Sequence, residues 1–322
     1  MTKIYITRPI PEIGLKMLRD KGYEVDVRDS SSIPTLKELK KALSKKQYDG
    51  VASLLTDPIN AELFDSSPSV KIYANFATGF DNIDLNGAKE RGITITNAPA
   101  VSSAEAVAEH TFALMLSLAA RIVEADQFVR DGKYDGWDPM NFIGMDLLNK
   151  TLGLIGAGRI GAQVAHYASG FGFKIIYTDI KRNEQIERES GATFIATPEE
   201  VLKQADIVSL HVPLLDSTRH LINADRLKKM KPTAFLVNTS RGPVIDEVAL
   251  VEALKNKTIA GAGLDVYEFE PKLSKGLSKL DNVILTPHIA SASDTARNEM
   301  AELVAKNLIA FFEGQIPPNK VN

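Results

Sequence analysis

The sequence contains no cysteine among its 322 residues. This absence excludes disulfide bonds, thiolate metal sites and cysteine nucleophiles. The carboxylates of Asp57, Asp81 and Asp84 have no histidine cluster beside them, so we expect no metal site. A basic excess is missing too, because 38 lysines and arginines stand against 41 aspartates and glutamates, for a formal net charge of −3. Nucleic-acid-binding surfaces normally show such an excess, and we therefore expect no nucleic-acid partner.

Long hydrophobic runs are also missing. No apolar stretch approaches the roughly 18 residues that a membrane-spanning helix needs. The N-terminus leads directly into a predicted strand, Lys3–Thr7, without the apolar region of a signal peptide. Hydrophobic residues make up 44% and charged residues 25% of the chain, which is typical of a globular protein. We therefore expect a cytoplasmic protein without membrane contact.

Short β-branched runs alternate with helix-like stretches along most of the chain. The predicted strands of the N-terminal part are Ile4–Ile6, Val25–Val27, Gly50–Leu54, Ile72–Asn75 and Thr94–Thr96. Those of the middle part are Thr151–Ile155, Lys174–Thr178, Ile207–His211, Ala234–Asn238, Gly261–Asp265 and Val283–Leu285. This alternation predicts parallel sheets with helices on both faces. The expected fold class is α/β, with two doubly wound parallel-sheet domains of Rossmann or flavodoxin type and an interdomain cleft.

The domain boundaries are expected near two long helices. One helix begins after Asn97-Ala98-Pro99, where Ser102 and Glu105 have the spacing of a capping box. The other follows Ser293-Asp294. If this last helix returns to the first domain, residues 1–98 and 290–322 form a substrate domain, and residues 99–289 form a nucleotide-binding domain.

A glycine-rich segment follows the predicted strand Thr151–Ile155 and opens a helix. This strand–turn–helix context is what a dinucleotide-binding fingerprint requires. In such a turn Gly156 permits the tight bend, Gly158 lets the backbone approach a pyrophosphate, and Gly161 lets helix and strand pack closely. The helix N-terminus offers free N–H groups to the phosphates. The candidate cofactor residues of this segment are Gly156, Gly158, Arg159, Ile160 and Gly161.

An acidic residue, Asp179, ends the next predicted strand, Lys174–Thr178. A carboxylate at this point can accept hydrogen bonds from both hydroxyls of the adenosine ribose, and it repels a 2′-phosphate. We therefore expect NAD as the cofactor. NADP remains the alternative, because Lys181 or Arg182 could reach a phosphate.

Three polar side chains follow separate strands of the second predicted sheet: Arg241, Glu270 and His288. Ligands of open α/β sheets bind at the carboxyl ends of the strands, so these side chains are expected to meet. Reduction of a keto acid adds a hydride to carbon and a proton to the carbonyl oxygen, and a histidine can supply that proton. A carboxylate on the second ring nitrogen orients the imidazole, while an arginine binds and polarises the substrate.

Several segments in chain order resemble the D-2-hydroxyacid dehydrogenase family. They are Asn75–Asp84, Thr151–Gly161, Asn238–Leu250, Gly263–Pro271, Asn282–His288 and Met300–Asn322. The outer segments are most similar to the glyoxylate/hydroxypyruvate reductase branch, whereas Ser102–His110 is more similar to the phosphoglycerate and D-lactate branches. The resemblance implies an NAD(P)-dependent oxidoreductase acting on a small 2-keto or 2-hydroxy acid.

The resemblance also implies roles for individual residues. His288 would be the general acid and base, Glu270 its partner and Arg241 the substrate-binding arginine. Glu268 competes with Glu270, but only Glu270 precedes the proline of the family pattern. Further implied cofactor residues are Val212, Pro213, Thr218, Thr239 and, near the nicotinamide carboxamide, Asp265. The N–H groups of Thr78 and Gly79 would hold the substrate carboxylate, with Leu54 nearby, and Trp137 would reach the partner subunit of a homodimer.

Two other functions stay open. A D-lactate or broad-range D-2-hydroxyacid dehydrogenase would use the same chemistry on another side chain. An NAD-sensing binding protein on this fold would bind the nucleotide and recruit partners, although the full set of arginine, glutamate and histidine favours an enzyme. His110 is interpreted as a structural contact.

Overall fold

Twelve strands and twelve α-helices are present in the computed structural model, which describes residues 1–322. The strands are β1 (Lys3–Ile6), β2 (Glu24–Val27), β3 (Gly50–Leu54), β4 (Ile72–Phe76), β5 (Thr94–Thr96), β6 (Thr151–Ile155), β7 (Lys174–Thr178), β8 (Thr193–Phe194), β9 (Ile207–Leu210), β10 (Phe235–Asn238), β11 (Gly261–Leu264) and β12 (Val283–Leu285). The helices are α1 (Glu12–Asp20), α2 (Leu36–Ser44), α3 (Ala61–Ser66), α4 (Leu85–Glu90), α5 (Val101–Ala119), α6 (Ile122–Arg130), α7 (Arg159–Gly170), α8 (Glu184–Ser190), α9 (Pro198–Gln204), α10 (Ala224–Leu227), α11 (Glu247–Lys255) and α12 (Asp294–Phe312).

The chain divides into two units. Unit 1 comprises Met1–Ser103 and Ala292–Asn322, and unit 2 comprises Ala104–Ser291. The assignment of substrate and cofactor to separate domains stays a prediction at this point, as does the cleft between them.

Unit 1 contains a five-stranded parallel sheet in the order β2-β1-β3-β4-β5, which is the flavodoxin-like order. Its last helix, α12, packs on α1 and β4. Met300, Val304 and Leu308 of α12 are buried in one core with Ile4 and Leu18. Burial of this apolar face ties the C-terminal segment to the N-terminal sheet.

Unit 2 contains a seven-stranded parallel sheet in the order β12-β11-β10-β9-β6-β7-β8. Counted from β6, this is the Rossmann order 3-2-1-4-5-6 with β12 added at the far edge. Two separate hydrophobic clusters in this unit match a sheet that is covered by helices on both faces. The predicted α/β fold class with two doubly wound parallel sheets is confirmed.

The predicted strands agree with the observed ones to within a residue at each end, apart from β8. Strand β8 (Thr193–Phe194) was not predicted, because two residues show no periodicity. The predicted capping box is wrong. Ser102 lies inside α5, and its N–H donates to Oε2 of Glu299 at 3.1 Å instead of pairing with Glu105. The N–H of Val101 donates to the other oxygen of Glu299 at 2.9 Å, so a carboxylate of α12 caps α5.

The long helix predicted after Pro99 is followed by a second, shorter helix. Helix α5 ends at Ala119, Arg121 has a φ of 55°, and α6 continues at an angle. No single helix of the chain is long and apolar enough to cross a membrane. Helices α5 and α6 reach that length and composition only as a pair, which is bent by 64°.

We expect Gly14→Ala to destabilise the protein, because α1 and α12 approach each other too closely for a side chain at this position. A Cβ on Gly14 would lie 2.6 Å from the carbonyl oxygen of Ala301. The overpacking should lower the free energy of unfolding by about 1–3 kcal/mol, measured by urea denaturation. Gly170→Ala is the matched control, since a Cβ there meets no atom within 4 Å. An equal loss in both variants would contradict the close approach as the cause.

Candidate active site

The glycine turn connects β6 to α7 in unit 2. Gly156 has a φ of +99°, and a Cβ there would lie 2.5 Å from the carbonyl oxygen of His211. A Cβ on Gly161 would lie 2.2 Å from the carbonyl oxygen of Gly156. A Cβ on Gly158, in contrast, would meet no atom within 4 Å, and no side chain caps the helix that begins there. The open N-terminus of α7 therefore fits a phosphate group of a dinucleotide.

The chain after β7 holds the glycine turn. The N–H of Ala157 donates to Oδ2 of Asp179 at 2.6 Å, and Nδ2 of Asn183 donates to the carbonyl of Ala157 at 2.8 Å. The other carboxylate oxygen of Asp179 accepts from the N–H of Ile180 at 2.6 Å. Both the N–H and the carbonyl of Ala157 are thus hydrogen-bonded, and the acid predicted to select NAD lies against the turn. Sequence reasoning missed Asn183, whose Asx-type position before α8 was the available signal.

The surroundings of the turn combine a neutral histidine with an exposed cation. Burial lowers the pKa of His211 to about 3, so this ring is neutral, and its Nε2 lies 2.9 Å from the hydroxyl of Ser209. Arg159 and Ile160 are the first two residues of α7; Arg159 is exposed, while Ile160 packs on the hydrophobic core. A cationic side chain therefore lies at the start of α7, whereas the buried histidine next to the turn is neutral.

Other predicted cofactor residues follow β9 and β10. Val212 packs on the core of unit 2. The hydroxyl of Thr218 donates to the carbonyl of Pro213 at 2.6 Å and so closes the turn that follows β9. Thr239 is buried, and its hydroxyl lies 2.9 Å from that of Thr111 on α5. These contacts fix the loops at the carboxyl end of the sheet, where the predicted cofactor would bind.

His288 and Glu270 form a hydrogen-bonded pair beyond β11 and β12. Nδ1 of His288 lies 2.9 Å from Oε2 of Glu270, and Oε1 accepts from the N–H of Tyr267 at 2.9 Å. Burial raises the pKa of Glu270, but the hydrogen bond and charge of His288, the Tyr267 N–H and the charge of Arg241 outweigh it, so the pKa is lowered. An ionised carboxylate can only accept, so Nδ1 carries a proton and Nε2 is left for a reacting group.

Arg241 lies in the loop after β10. This loop packs closely against the loop that carries Glu270. The side chain of Asn238 donates to the carbonyl of Arg241 at 2.9 Å. A Cβ on Gly242 would lie 1.9 Å from the carbonyl carbon of Tyr267. Only glycine lets the two backbones come this close, and the approach brings the charge of Arg241 within reach of Glu270. The predicted arginine, glutamate and histidine are therefore neighbours.

Asp265 holds the loop that carries His288. Its fully buried carboxylate accepts from the Thr286 hydroxyl at 2.6 Å and from the N–H groups of Ile289 and Ala290 at 2.8 and 2.7 Å. Its carbonyl accepts from the N–H of His288 at 2.9 Å. His288 has a φ of 56°, a conformation that a non-glycine residue keeps only when its surroundings enforce it. The placement of Asp265 near a carboxamide stays a prediction.

His110 belongs to the same group of contacts. Its Nε2 lies 3.0 Å from the hydroxyl of Thr286 and 3.6 Å from Oδ1 of Asp265. The histidine therefore supports the acid that fixes the loop of His288. Its position on α5 could not be related to Asp265 without the tertiary fold.

A second histidine–glutamate pair was missed by sequence reasoning. Nε2 of His220 lies 2.5 Å from Oε1 of Glu268, whose other oxygen accepts from the N–H of Glu247 at 3.0 Å. The buried carboxylate of Glu247 in turn accepts from the N–H of Glu268 at 2.8 Å and from that of Ser274 at 2.5 Å. The reciprocal hydrogen bonds of Glu247 and Glu268 join the segment after Arg241 to the segment before Glu270. Because Glu268 is bound to His220 and Glu247, Glu270 is the glutamate that lies beside His288.

The predicted substrate residues of unit 1 lie in the loops after β3 and β4. The N–H of Leu54 donates to the buried carboxylate of Asp57 at 2.7 Å, and Asn75 donates to the carbonyl of Gly79 at 3.0 Å. These bonds fix both loops. The N–H groups of Thr78 and Gly79 form no hydrogen bond within the protein. Two successive N–H groups of this kind suit a carboxylate.

Trp137 belongs to an exposed apolar segment. The side chain of Trp137 is 84% exposed, and α6 has no buried residue. Other large apolar residues of the segment are exposed as well: Ile122, Val123, Val129, Tyr134, Met140, Ile143 and Leu148.

The order of the second sheet and its glycine turn, with an acid at the end of β7, define a dinucleotide-binding protein. Residues 112–290 match the model of the D-isomer specific 2-hydroxyacid dehydrogenase, NAD binding domain. A glyoxylate reductase of Thermococcus litoralis is 50% identical over 325 residues, covering 99% of this chain and 96% of the relative.

Two solved structures are similar along the whole chain. A protein from Thermus thermophilus is 41% identical with a TM-score of 0.92 and full coverage of both chains. An NADPH-dependent glyoxylate/hydroxypyruvate reductase from Sinorhizobium meliloti, in complex with NADP and malonate, is 34% identical with a TM-score of 0.85, covering 99% of this chain and 96% of that one. The chain belongs to the D-isomer specific 2-hydroxyacid dehydrogenase family, and it is an oxidoreductase with an NAD(P)-binding domain.

We expect Glu270→Gln to destabilise the protein at neutral pH more than at acid pH. Because the pKa of Glu270 is lowered on folding, the folded protein binds a proton there less tightly than the unfolded chain. The ionised group thus contributes stability above the unfolded value of about 4.3, and this stability is lost as the pH falls through the lowered folded value. Urea unfolding of both proteins between neutral pH and about pH 3 measures the difference.

The control for this prediction is Glu302→Gln. Glu302 pairs only with Lys306, at 2.9 Å on α12, and its replacement should have a small effect at every pH. A destabilisation by Glu270→Gln that stays constant or grows toward acid pH would contradict the ionised pair.

Proposed function

We propose that the protein is a glyoxylate reductase that reduces short 2-keto acids, glyoxylate and hydroxypyruvate among them, with NADH. The observation that carries the proposal is the 2.9 Å pair of His288 and Glu270, with Arg241 near enough to act on the same carboxylate. The Thermococcus litoralis relative, which is named for the same activity, is similar over the whole chain.

The cofactor would be held by unit 2. When bound, the nicotinamide supplies a hydride to the carbonyl carbon of the substrate. The N-terminus of α7 binds the phosphates beyond Gly158, where the backbone is open. Further cofactor contacts are proposed for Gly156, Arg159, Ile160, Gly161, Val212, Pro213, Thr218, Thr239 and Asp265. We propose NAD rather than NADP, because the Asp179 carboxylate accepts ribose hydroxyls and repels a 2′-phosphate.

Arg241 and His288 would act on the reacting carbonyl of the substrate. The arginine binds the substrate and polarises the carbonyl, which stabilises the negative charge that develops on oxygen. Nε2 of His288 donates a proton to that oxygen, and Glu270 stabilises the imidazolium before the transfer. The product is the 2-hydroxy acid. In the oxidative direction Nε2 accepts the proton.

The substrate carboxylate would be bound in unit 1, which we propose as the substrate domain. The N–H groups of Thr78 and Gly79 are without protein acceptors, and the hydrogen bonds of Asn75 and Asp57 hold their loops in place. Leu54 would contact the substrate side chain. An apolar residue there suits a short, uncharged substituent.

We expect the purified protein to oxidise NADH with glyoxylate and hydroxypyruvate, and His288→Asn to lower kcat by about 10²–10⁴-fold while NADH binding persists. The asparagine cannot become a cation and donate its proton. Initial rates of NADH absorbance loss measure kcat, and quenching of Trp137 fluorescence or NADH fluorescence titration measures the dissociation constant.

The control variant is His166→Asn, on the exposed side of α7, which should keep the kcat of the parent protein. Pyruvate serves as the competing substrate, and a higher kcat/KM with pyruvate would favour a D-lactate dehydrogenase instead. Binding of NADH without turnover of any keto acid would favour an NAD-sensing protein. Full activity of His288→Asn would remove the proton-donor role.

We propose further that the protein is a homodimer. Monomers seldom expose a large contiguous apolar patch, yet the segment from α6 to Leu148 exposes many large apolar side chains. An apolar groove of about 480 Å³ lies beside it between α5 and α7, lined by Phe112, Leu116 and Phe171 among others. A second copy of the chain would cover this surface.

Light scattering after size exclusion should give twice the chain mass of 35.1 kDa. Ile143→Glu places a charge on the apolar segment and should shift the protein toward the monomer. Ile316→Glu is the control, because Ile316 is also an exposed isoleucine but lies outside the segment. A monomeric parent protein, or dissociation by both substitutions alike, would contradict this interface.

A further inference from the structure

Arg182 is one of the two cations, with Lys181, that follow Asp179 and could reach a ribose phosphate, and its guanidinium is bound elsewhere. Its Nε donates to Oε1 and Oε2 of Glu187 at 2.8 and 3.1 Å, and its Nη2 donates to Oε2 at 2.7 Å. This is a two-point arginine–carboxylate contact, the geometry in which such pairs are strongest. The guanidinium is therefore directed toward α8.

Glu187 is itself held by a hydrogen bond from a buried side chain. The buried Tyr177 hydroxyl donates to Oε1 of Glu187 at 2.8 Å, and the same hydroxyl accepts from the N–H of Asn183 at 2.8 Å. Asn183 also binds the glycine turn through Ala157. The carboxylate is 17% exposed, whereas the side chain of Arg182 is 62% exposed. The glutamate is thus the more buried member of the pair, with a second hydrogen-bond partner, and the arginine is the more exposed one.

The ionisation of Glu187 supports this arrangement. Its pKa is lowered, chiefly by the hydrogen bond from Arg182. The pKa of Arg182 is raised, chiefly by the same bond. Both groups are charged at neutral pH, so the pair persists under the conditions in which a cofactor binds.

We propose that Glu187 is a determinant of cofactor specificity, which favours NAD by holding Arg182 away from the position that a 2′-phosphate would take. The inference rests on the proposed NAD-dependent function and deepens it. In dinucleotide-binding folds an arginine near the acid at the end of the second strand accommodates the 2′-phosphate. In this chain Asp179 repels that phosphate, and Glu187 holds one of the two nearby cations that would attract it.

The test is the binding of NADPH and NADH to Glu187→Gln, measured by fluorescence titration without substrate. Glutamine keeps an oxygen that can accept from Tyr177, but it lacks the charge that binds Arg182. We expect the dissociation constant of NADPH to fall by about three- to tenfold, as one partly exposed charge contact is gained. The dissociation constant of NADH should change by less than about twofold, since NADH has no 2′-phosphate.

The matched control is Glu189→Gln. This residue lies on the same helix and carries the same charge, but it contacts Gln185 and not Arg182. The Glu189→Gln substitution measures the general effect of one fewer negative charge on NADPH binding. The double variant Glu187→Gln/Arg182→Gln should lose the gain in NADPH affinity, because the released guanidinium is the proposed source.

The binding data distinguish failure of the proposed function from failure of the proposed role of Glu187. If the parent protein binds neither NADH nor NADPH, the proposed function fails and this inference fails with it. If the parent protein prefers NADH but Glu187→Gln behaves like Glu189→Gln, the proposed function stands and the role of Glu187 is refuted. A gain that survives the loss of Arg182 refutes that role as well.

Discussion

The buried carboxylate of Asp265 is the constraint on which the reactive end of unit 2 depends. A charge without water must be hydrogen-bonded, and this one is satisfied by a hydroxyl and two N–H groups from the segment that follows β12. The segment cannot move without breaking several of these bonds at once. His288 lies in its middle with a left-handed backbone, so the unfavourable conformation of this residue is enforced by the anchoring of its neighbours.

The loops with Arg241 and Glu270 are joined by a different means, namely close backbone contact. Gly242 lies so near Tyr267 that any side chain would overlap it, and the carboxylates of Glu247 and Glu268 each accept the N–H of the other residue. The positions of the loops that carry Arg241 and Glu270 are therefore set by the backbone and by the carboxylates of Glu247 and Glu268. The side chains of Arg241 and Glu270 need few contacts of their own. Such preorganisation is what electrostatic stabilisation of a developing charge requires.

The sequence predicted the sheets well, because β-branched runs that alternate with helices are a local signal of buried parallel strands. It also singled out residues at strand ends, since parallel strands bring their carboxyl ends to one edge. Contacts between distant segments were not predictable in this way. The cap of α5 comes from Glu299, and His110 reaches Thr286 across the unit, so neither contact leaves a local pattern. Glu268 and Glu270 differ by two residues; the family pattern favoured Glu270, and Glu270 is the one that lies 2.9 Å from His288.

The two ends of the proposed cofactor site use acids in opposite ways. At the nicotinamide end, a lowered pKa keeps Glu270 ionised, so that its carboxylate accepts the hydrogen bond from Nδ1 of His288. At the adenosine end, Asp179 accepts a hydrogen bond from the glycine turn, while Glu187 binds Arg182 of the same loop. An acid that only repelled phosphate would leave Arg182 available to offset it. Selectivity for an unphosphorylated ribose therefore requires that the repelling charge be present and the attracting charge be bound elsewhere.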